Sequence, residues 1–389
     1  MRCVLQVQAA VRCPPFAPGG DGRAALIRRV NQLFHELAQS SFDTEHRHRH
    51  RVEQRFWQAV ARHVFGDAKP RRSRGLQPAR LPKLGGCRVC DRKAARAEAR
   101  GSLMNQHTLN AYGGLVVVDL GCGTGFVSAL LGCRLGPADR LVAIDLSEAA
   151  LKTTARRWAD RVGVAADGPG PCLEQVAGDG QTLALADESV DLLAMNASLH
   201  HVPDPKATLH QIDRVLKPGG WFALGFEPNR THFACRPMVA LSLGLERAAW
   251  YASPRQNCRR LWRWLAGTKV ADERRERPPE CDLATRLNTT LLREGLVAEP
   301  LPASALLDLV DPHARGAAAI PGFDPMALLR ETMADYHVHQ LFSSDYLGET
   351  ARRWVVVRDM ADAVFRAFLP RHGSLFCWLI RKPGARSWR

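Results

Sequence analysis

Beginning at Leu115, the chain alternates unbroken apolar runs with segments whose apolar residues recur every three or four positions. The runs are LVVVDL, LVAIDL, VDLLAMN and WFALGFE, and between them lie FVSALLGCRL, SEAALKTTARRWADRV and PKATLHQIDRVL. An apolar run without polar alternation is a strand buried on both faces, and the amphipathic segments are the helices that cover those faces. Elements in this order predict an α/β domain on a doubly wound, mostly parallel sheet. After Glu227 the alternation stops. Helical patterns around Asp282–Glu294, Asp324–Tyr336 and Tyr346–Phe368 precede a return to a strand, SLFCWLIRKP. The expectation is a helical insertion at about residues 229–345, set before the last strand, either a lid that covers a substrate or a purely structural cap.

Ahead of the repeat the pattern changes character several times. A Pro/Gly-rich piece, CPPFAPGGDG, leads to a helix from about Ala24 to Ser40; a histidine-rich segment then runs into VEQRFWQAVARHVF. The following KPRRSRGLQPARLPKLGG reads as a flexible linker, because its prolines, glycines and like charges cannot bury enough apolar surface to order it. Residues 1–104 are therefore expected to be a basic, partly disordered extension with one or two helices, and residues 105–389 the main domain.

Charge follows this division. Residues 1–110 hold 21 Lys+Arg against 8 Asp+Glu, so +13 of the net +15 lies there and the rest of the chain is close to neutral. A basic tail of this kind suits nucleic acid or an anionic surface as well as a solvated extension. The apolar fraction of 46% is enough for a buried core, and no run of 18 apolar residues marks a membrane-spanning helix. Eleven scattered cysteines fit free thiols in a reducing cytoplasm. Arg2 and Arg12 with no acid in the first twenty residues suit an organellar transit peptide, but that stretch has no serine and carries Pro14, Pro15 and Pro18. A cytoplasmic location is expected.

The chemistry concentrates in VVVDLGCGTG, residues 116–125. Glycines between a strand and a helix let a ligand approach the backbone and the helix N-terminus. A dinucleotide fingerprint needs a third glycine where Phe126 stands, and no G-K-[ST] follows, so neither a dinucleotide loop nor a P-loop is present. Asp145 ends the second strand twenty residues beyond Gly125, where a carboxylate can accept both hydroxyls of a ribose or, alternatively, cap the next helix.

Four ordered blocks, VVVDLGCGTGFVS, LVAIDLSEAAL, AGDGQTLALADESVDLLAMNASLHHVPDP and LHQIDRVLKPGGWFALG, resemble the class I S-adenosylmethionine-dependent methyltransferases, in particular the methyltransferase-11 or ubiquinone/menaquinone-biosynthesis-like group. The resemblance covers residues 115 to about 228 and a last strand at 374–383. It implies a seven-stranded Rossmann-like sheet and S-adenosyl-L-methionine as cofactor, leaving S-adenosyl-L-homocysteine as product, with no metal. It further implies that Asp119, Gly121, Gly123, Thr124 and Gly125 line the methionine and ribose side, and that Asp145 holds the ribose. By the same resemblance Asp179 and Gly180 read the adenine, and Asn196 stands beside the reactive methyl. The LKPGG turn is structural.

Methyl transfer from a sulfonium asks the enzyme mainly for alignment and a dry pocket, and for a base only where the acceptor carries a proton. His200 and His201 in SLHHVPD are the candidate catalytic residues, against a role in ordering that loop. Tyr336, His337 and His339 are further candidates, against a packed helix end. Trp221, Phe226, Trp262 and Trp264 are candidate walls of an acceptor pocket, against core packing. Cys87 and Cys90, and His46, His48 and His50, lack partners at zinc-finger spacing. The expected partner is a small or medium organic acceptor with an oxygen, nitrogen or carbon nucleophile. An RNA substrate held by the basic first hundred residues is a second reading, though MNAS stands where an NPPY-type base-binding tetrapeptide would. A non-catalytic binding or scaffold protein on the same fold is a third.

Overall fold

The computed structural model describes residues 22–45, 47–66, 114–163, 170–251, 279–314, 320–347 and 355–384. Its centre is a seven-stranded sheet: β1 Val116–Leu120, β2 Arg140–Asp145, β3 Cys172–Ala177, β4 Val190–Asn196, β5 Leu216–Pro228, β6 His337–Ser344 and β7 Leu375–Arg381. The order is β3-β2-β1-β4-β5-β7-β6, parallel throughout except that β7 runs antiparallel to both neighbours.

Alternation inside the apolar runs sends side chains to two cores. Val116, Val118, Leu120, Val142, Ile144, Leu193 and Met195 face one side of the sheet, and Val117, Leu141, Ala143, Leu192 and Ala194 the other. The first side is covered by α5 (Pro205–Val215) and α10 (Pro325–Thr332), the second by α3 (Phe126–Gly132), α4 (Glu148–Arg161) and α2 (Arg47–Phe65). Two further helices, α6 (Arg230–Ala234) and α7 (Arg236–Tyr251), lead out of β5. Helix starts follow local chemistry. Asp204 and Asp324 each accept from two backbone N–H groups ahead of a first-turn proline, at α5 and α10.

Two packing relationships lie at the margins of this sheet. The described helices α1 (Gly22–Glu45) and α2 do not stand apart from the domain. Phe56, Trp57, Val60 and Ala61 of α2 are buried in the same core as Val117 and Leu192. Ile27, Val30 and Leu33 of α1 pack with Leu287 and Leu291 of α8 (Pro279–Arg293) and with Leu306, Leu309 and Val310 around α9 (Ala303–Val310). Each helix buries an apolar stripe that the basic composition of the segment had masked. The insertion, for its part, ends in a strand. β6 lies at the sheet edge with His337 to Gln340 exposed, so it lacks the apolar run that marks a covered strand.

Candidate functional site

The strand order reverses between β1 and β4, so their carboxyl ends flank a crevice, the usual ligand position in open α/β sheets. A cavity of about 410 Å³ opens there, within the range of small-molecule sites. Its floor is the turn after β1 and the ends of β2 and β4; its roof is α1 with Leu307, Val310 and Asp311. Asn31 ties roof to wall, its Nδ2 donating to the carbonyls of Leu309 at 3.1 Å and His201 at 3.4 Å.

Asp119 lies at the bottom, 1% exposed. Its Oδ2 accepts from Ser128 Oγ at 2.5 Å, while Oδ1 is buried without a partner. Burial pushes this carboxyl up to about 7, against the Ser128 hydrogen bond. Above it, Gly123 has φ 52° and open space where a side chain would begin. Thr124 also lines the cavity, its Oγ1 accepting from Arg157 Nη1 at 2.9 Å.

Asp145 Oδ2 accepts from the Gly123 N–H and Oδ1 from the Ser147 N–H, both at 2.8 Å. The helix that follows is capped by Ser147, whose side chain accepts from the Ala150 N–H, so Asp145 is released from the capping role. A carboxylate has about four acceptor sites, which leaves capacity at both oxygens. Beyond β3, Asp179 Oδ1 accepts from the backbone N–H groups of Gln181 and Thr182 and from Thr182 Oγ1. Its Oδ2 lies 2.8 Å from Arg28 Nε of α1.

At the end of β4, Asn196 Oδ1 accepts from Trp57 Nε1 at 2.8 Å, which turns Nδ2 toward Glu53 Oε2 at 3.3 Å. Glu53 is 2% exposed and lines the cavity. Ala197 follows at φ 49°, a left-handed backbone for a residue with a side chain. The loop that leaves it is gathered by Glu227, which is fully buried. Glu227 accepts from the N–H groups of Ser198, Leu199 and His200 and is 2.8 Å from His200 Nδ1. His201 Nδ1 lies 2.7 Å from the Val310 carbonyl and 3.0 Å from Asp311 Oδ1.

The sequence pattern that defines a methyltransferase domain matches residues 118–224. Residues 118–224 are thus similar to a methyltransferase domain. Over 112 residues the chain is 30% identical to demethylmenaquinone methyltransferase from Staphylococcus saprophyticus, covering 29% of this chain and 44% of that protein. It is 35% identical over 121 residues to a 37.1 kDa protein of transposon TN4556 from Streptomyces fradiae, covering 31% and 32%. The chain thus spans less than half the length of these curated relatives. A methyltransferase structure from Aquifex aeolicus aligns over 75% of this chain and 96% of its own, at 14% identity and a TM-score of 0.31.

The residues of the cavity suit a ligand that carries a cationic group, a diol and an amino group. The orphaned Asp119 Oδ1 suits a cationic group, the bare Gly123 leaves room for a chain against the backbone, and Asp145 and Asp179 offer acceptors to a diol and an amine. The structure brings Asp119, Gly121, Gly123, Thr124, Asp145, Asp179, Gly180, Asn196, His200 and His201 to one cavity. Gly125 is absent from that wall: at φ 77° it lies against α4, where a Cβ would stand 2.8 Å from Thr154 Cα.

Several candidates lie elsewhere in the fold. Trp221 packs against His63 and His339 and under Arg381, and Phe226 against Phe56. Tyr336 donates to Asp213 Oδ1 at 2.7 Å, and His337 and His339 stand on the exposed edge strand. Trp262, Trp264, Cys87, Cys90 and His46 lie outside the described residues, as do the side chains of His48 and His50. Among the described residues the ligand atoms of His200, His201 and Asp311 come within 4.8 Å of one another. Both histidines already have acceptors at Nδ1. Glu53, Arg28 and Asp311 are wall residues that the motif reading missed; only the amphipathic pattern of the first helices hinted that this segment packs at all.

Proposed function

We propose that this chain transfers the methyl group of S-adenosylmethionine to a small or medium-sized organic acceptor through an oxygen, nitrogen or carbon nucleophile. The observation that carries the reading is the convergence of Asp119, Asp145, Asp179 and Asn196 from four strand ends on one roofed cavity. When bound, the cofactor supplies an electrophilic methyl carbon on a sulfonium. Asp119 would face its ammonium, Asp145 the ribose hydroxyls, Asp179 and Gly180 the adenine, and Asn196 the methyl side.

In-line displacement depends on alignment and on exclusion of water, and the roof made by α1 and α9 serves both. Where the acceptor is protic, Glu53 takes its proton. Its carboxylate is buried in the wall, and the hydrogen bond from Asn196 holds it beside the residue assigned to the methyl side. His200 and His201 order the loop through Glu227 and Asp311, each with its Nδ1 engaged.

Calorimetric titration of the folded protein with S-adenosylmethionine tests the first half. Incubation of a host metabolite extract with protein and methyl-labelled cofactor, read by mass spectrometry, tests the second. A labelled small molecule is the expected product; failure of the folded protein to bind the cofactor defeats the reading.

A further inference from the structure

Arg28 belongs to α1, outside the matched methyltransferase residues, yet it forms part of the cavity wall beside Asp179 and Gly180. Its Nη2 donates to Gln181 Oε1 at 2.6 Å. Its Nε lies 2.8 Å from Asp179 Oδ2, but the N–H is not aligned on that oxygen, so the contact is ionic and Nε stays a buried donor without an acceptor. Buried donors are almost always satisfied, and an exception at a ligand site marks a place for a ligand acceptor. Asp179 cannot swing away to serve Nε, because its Oδ1 is fixed by Gln181 N, Thr182 N and Thr182 Oγ1. The wall therefore presents one donor next to one acceptor. Adenine presents the complement on a single edge: a ring nitrogen that accepts beside an amino group that donates.

We propose that Arg28 is a second base-reading residue, whose Nε–H serves the adenine ring nitrogen while Asp179 accepts from the amino group. The inference rests on the cofactor reading above and extends it to a residue of the roof. Closing α1 over the cavity then completes base recognition, so roof and cofactor stabilise each other.

The test compares S-adenosylhomocysteine with S-inosylhomocysteine by calorimetry. Hypoxanthine reverses the pattern, with a ring N–H and a carbonyl, so the wild-type protein should prefer the adenine form by about 100-fold or more. In Arg28→Ala the adenine form should weaken about 10- to 100-fold, while the inosine form changes far less and the preference shrinks. Arg28→Lys keeps the charge beside Asp179 but has no Nε–H at that place; its preference should shrink as well. Equal weakening of both ligands in Arg28→Ala, or full preference in Arg28→Lys, overturns the proposal and leaves Arg28 as an ionic latch. Wild-type protein that binds neither ligand overturns the cofactor reading itself.

Discussion

Asn196 Nδ2 donates to Glu53 Oε2 at 3.3 Å, and Trp57 Nε1, one helical turn beyond Glu53, donates back to Asn196 Oδ1 at 2.8 Å. Two residues of α2 thus clamp the last residue of β4, and the clamp aims one carboxylate along the cavity wall. Replacement of Glu53 by Gln keeps the shape and removes the basic oxygen. With the acceptor identified by labelling, Glu53→Gln is expected to lower kcat by about 10²- to 10⁴-fold for a protic acceptor while leaving the Kd for S-adenosylmethionine within a few-fold of wild type. A variant with unchanged kcat, or one that loses cofactor affinity by the same factor, contradicts the assignment of Glu53 as proton acceptor.

Asp119 predicts a proton count. Its carboxyl sits at about 7 because burial disfavours the charge, with Ser128 opposing and Asp145 adding repulsion. A cationic group brought against Oδ1 favours the ionised form, so cofactor binding near pH 6 to 7 should release up to about one proton. Titrations in buffers of different ionisation enthalpy measure it directly. Asp119→Asn should abolish the release and weaken binding; a wild-type binding enthalpy independent of buffer argues against the contact. The same raised value means that Asp119 contributes most to stability below its unfolded value of about 3.9. That contribution is lost as pH rises through about 7 in the ligand-free protein.

Gly123 and Gly125 should separate under substitution. Both have positive φ, so alanine strains either by about 1 kcal/mol. At Gly123 a methyl group meets open cavity, whereas at Gly125 it meets the Thr154 backbone of α4 at 2.8 Å. Gly123→Ala should therefore fold with a small loss of Tm and a large loss of cofactor affinity. Gly125→Ala should lose roughly 2 kcal/mol or more through overpacking. Thermal melts with and without S-adenosylhomocysteine distinguish them, and equal Tm losses in the two variants count against this division.

What could be read in the sequence was what local pattern determines. β1, β2 and β4 are covered strands with unbroken apolar runs, and Asp145 ends its strand at a set distance from the glycine turn, so fold class and most of the cavity floor were legible. The roof was not. Arg28, Glu53 and Asp311 meet Asp179, Asn196 and His201 only after folding, Glu53 across 143 positions of chain, and no short-range spacing encodes such partners. β6 was hidden for the opposite reason, since its first half faces solvent and shows no apolar run. His200 and His201 were visible as a pair, but whether a histidine is a base or a tether depends on Glu227 and Asp311, which only the fold supplies.

The histidine pair leads to the last prediction, the pH dependence of roof closure. Burial works against a proton on His201, but the hydrogen bond and charge of Asp311, with the Val310 carbonyl, hold it above the usual histidine range. Its contribution to the closed state is therefore complete below the unfolded value of about 6.5 and is lost as pH rises through the raised folded value. His200 acts in the other direction. Burial and the neighbouring His201 charge lower it, despite Glu227, so its effect is a penalty that appears as pH falls below about 6.5. Asp311→Asn removes the attraction that raises His201; it also removes the weaker pull of Asp311 on His200, whose Glu227 contact stays in place. Hydrogen exchange across Leu306–Val310, corrected for intrinsic rates, should show protection in the wild type that declines from pH 6.5 to pH 8, and a much smaller decline in Asp311→Asn. Equal protection at both pH values in the wild type would mean that the His201–Asp311 pair does not hold the roof.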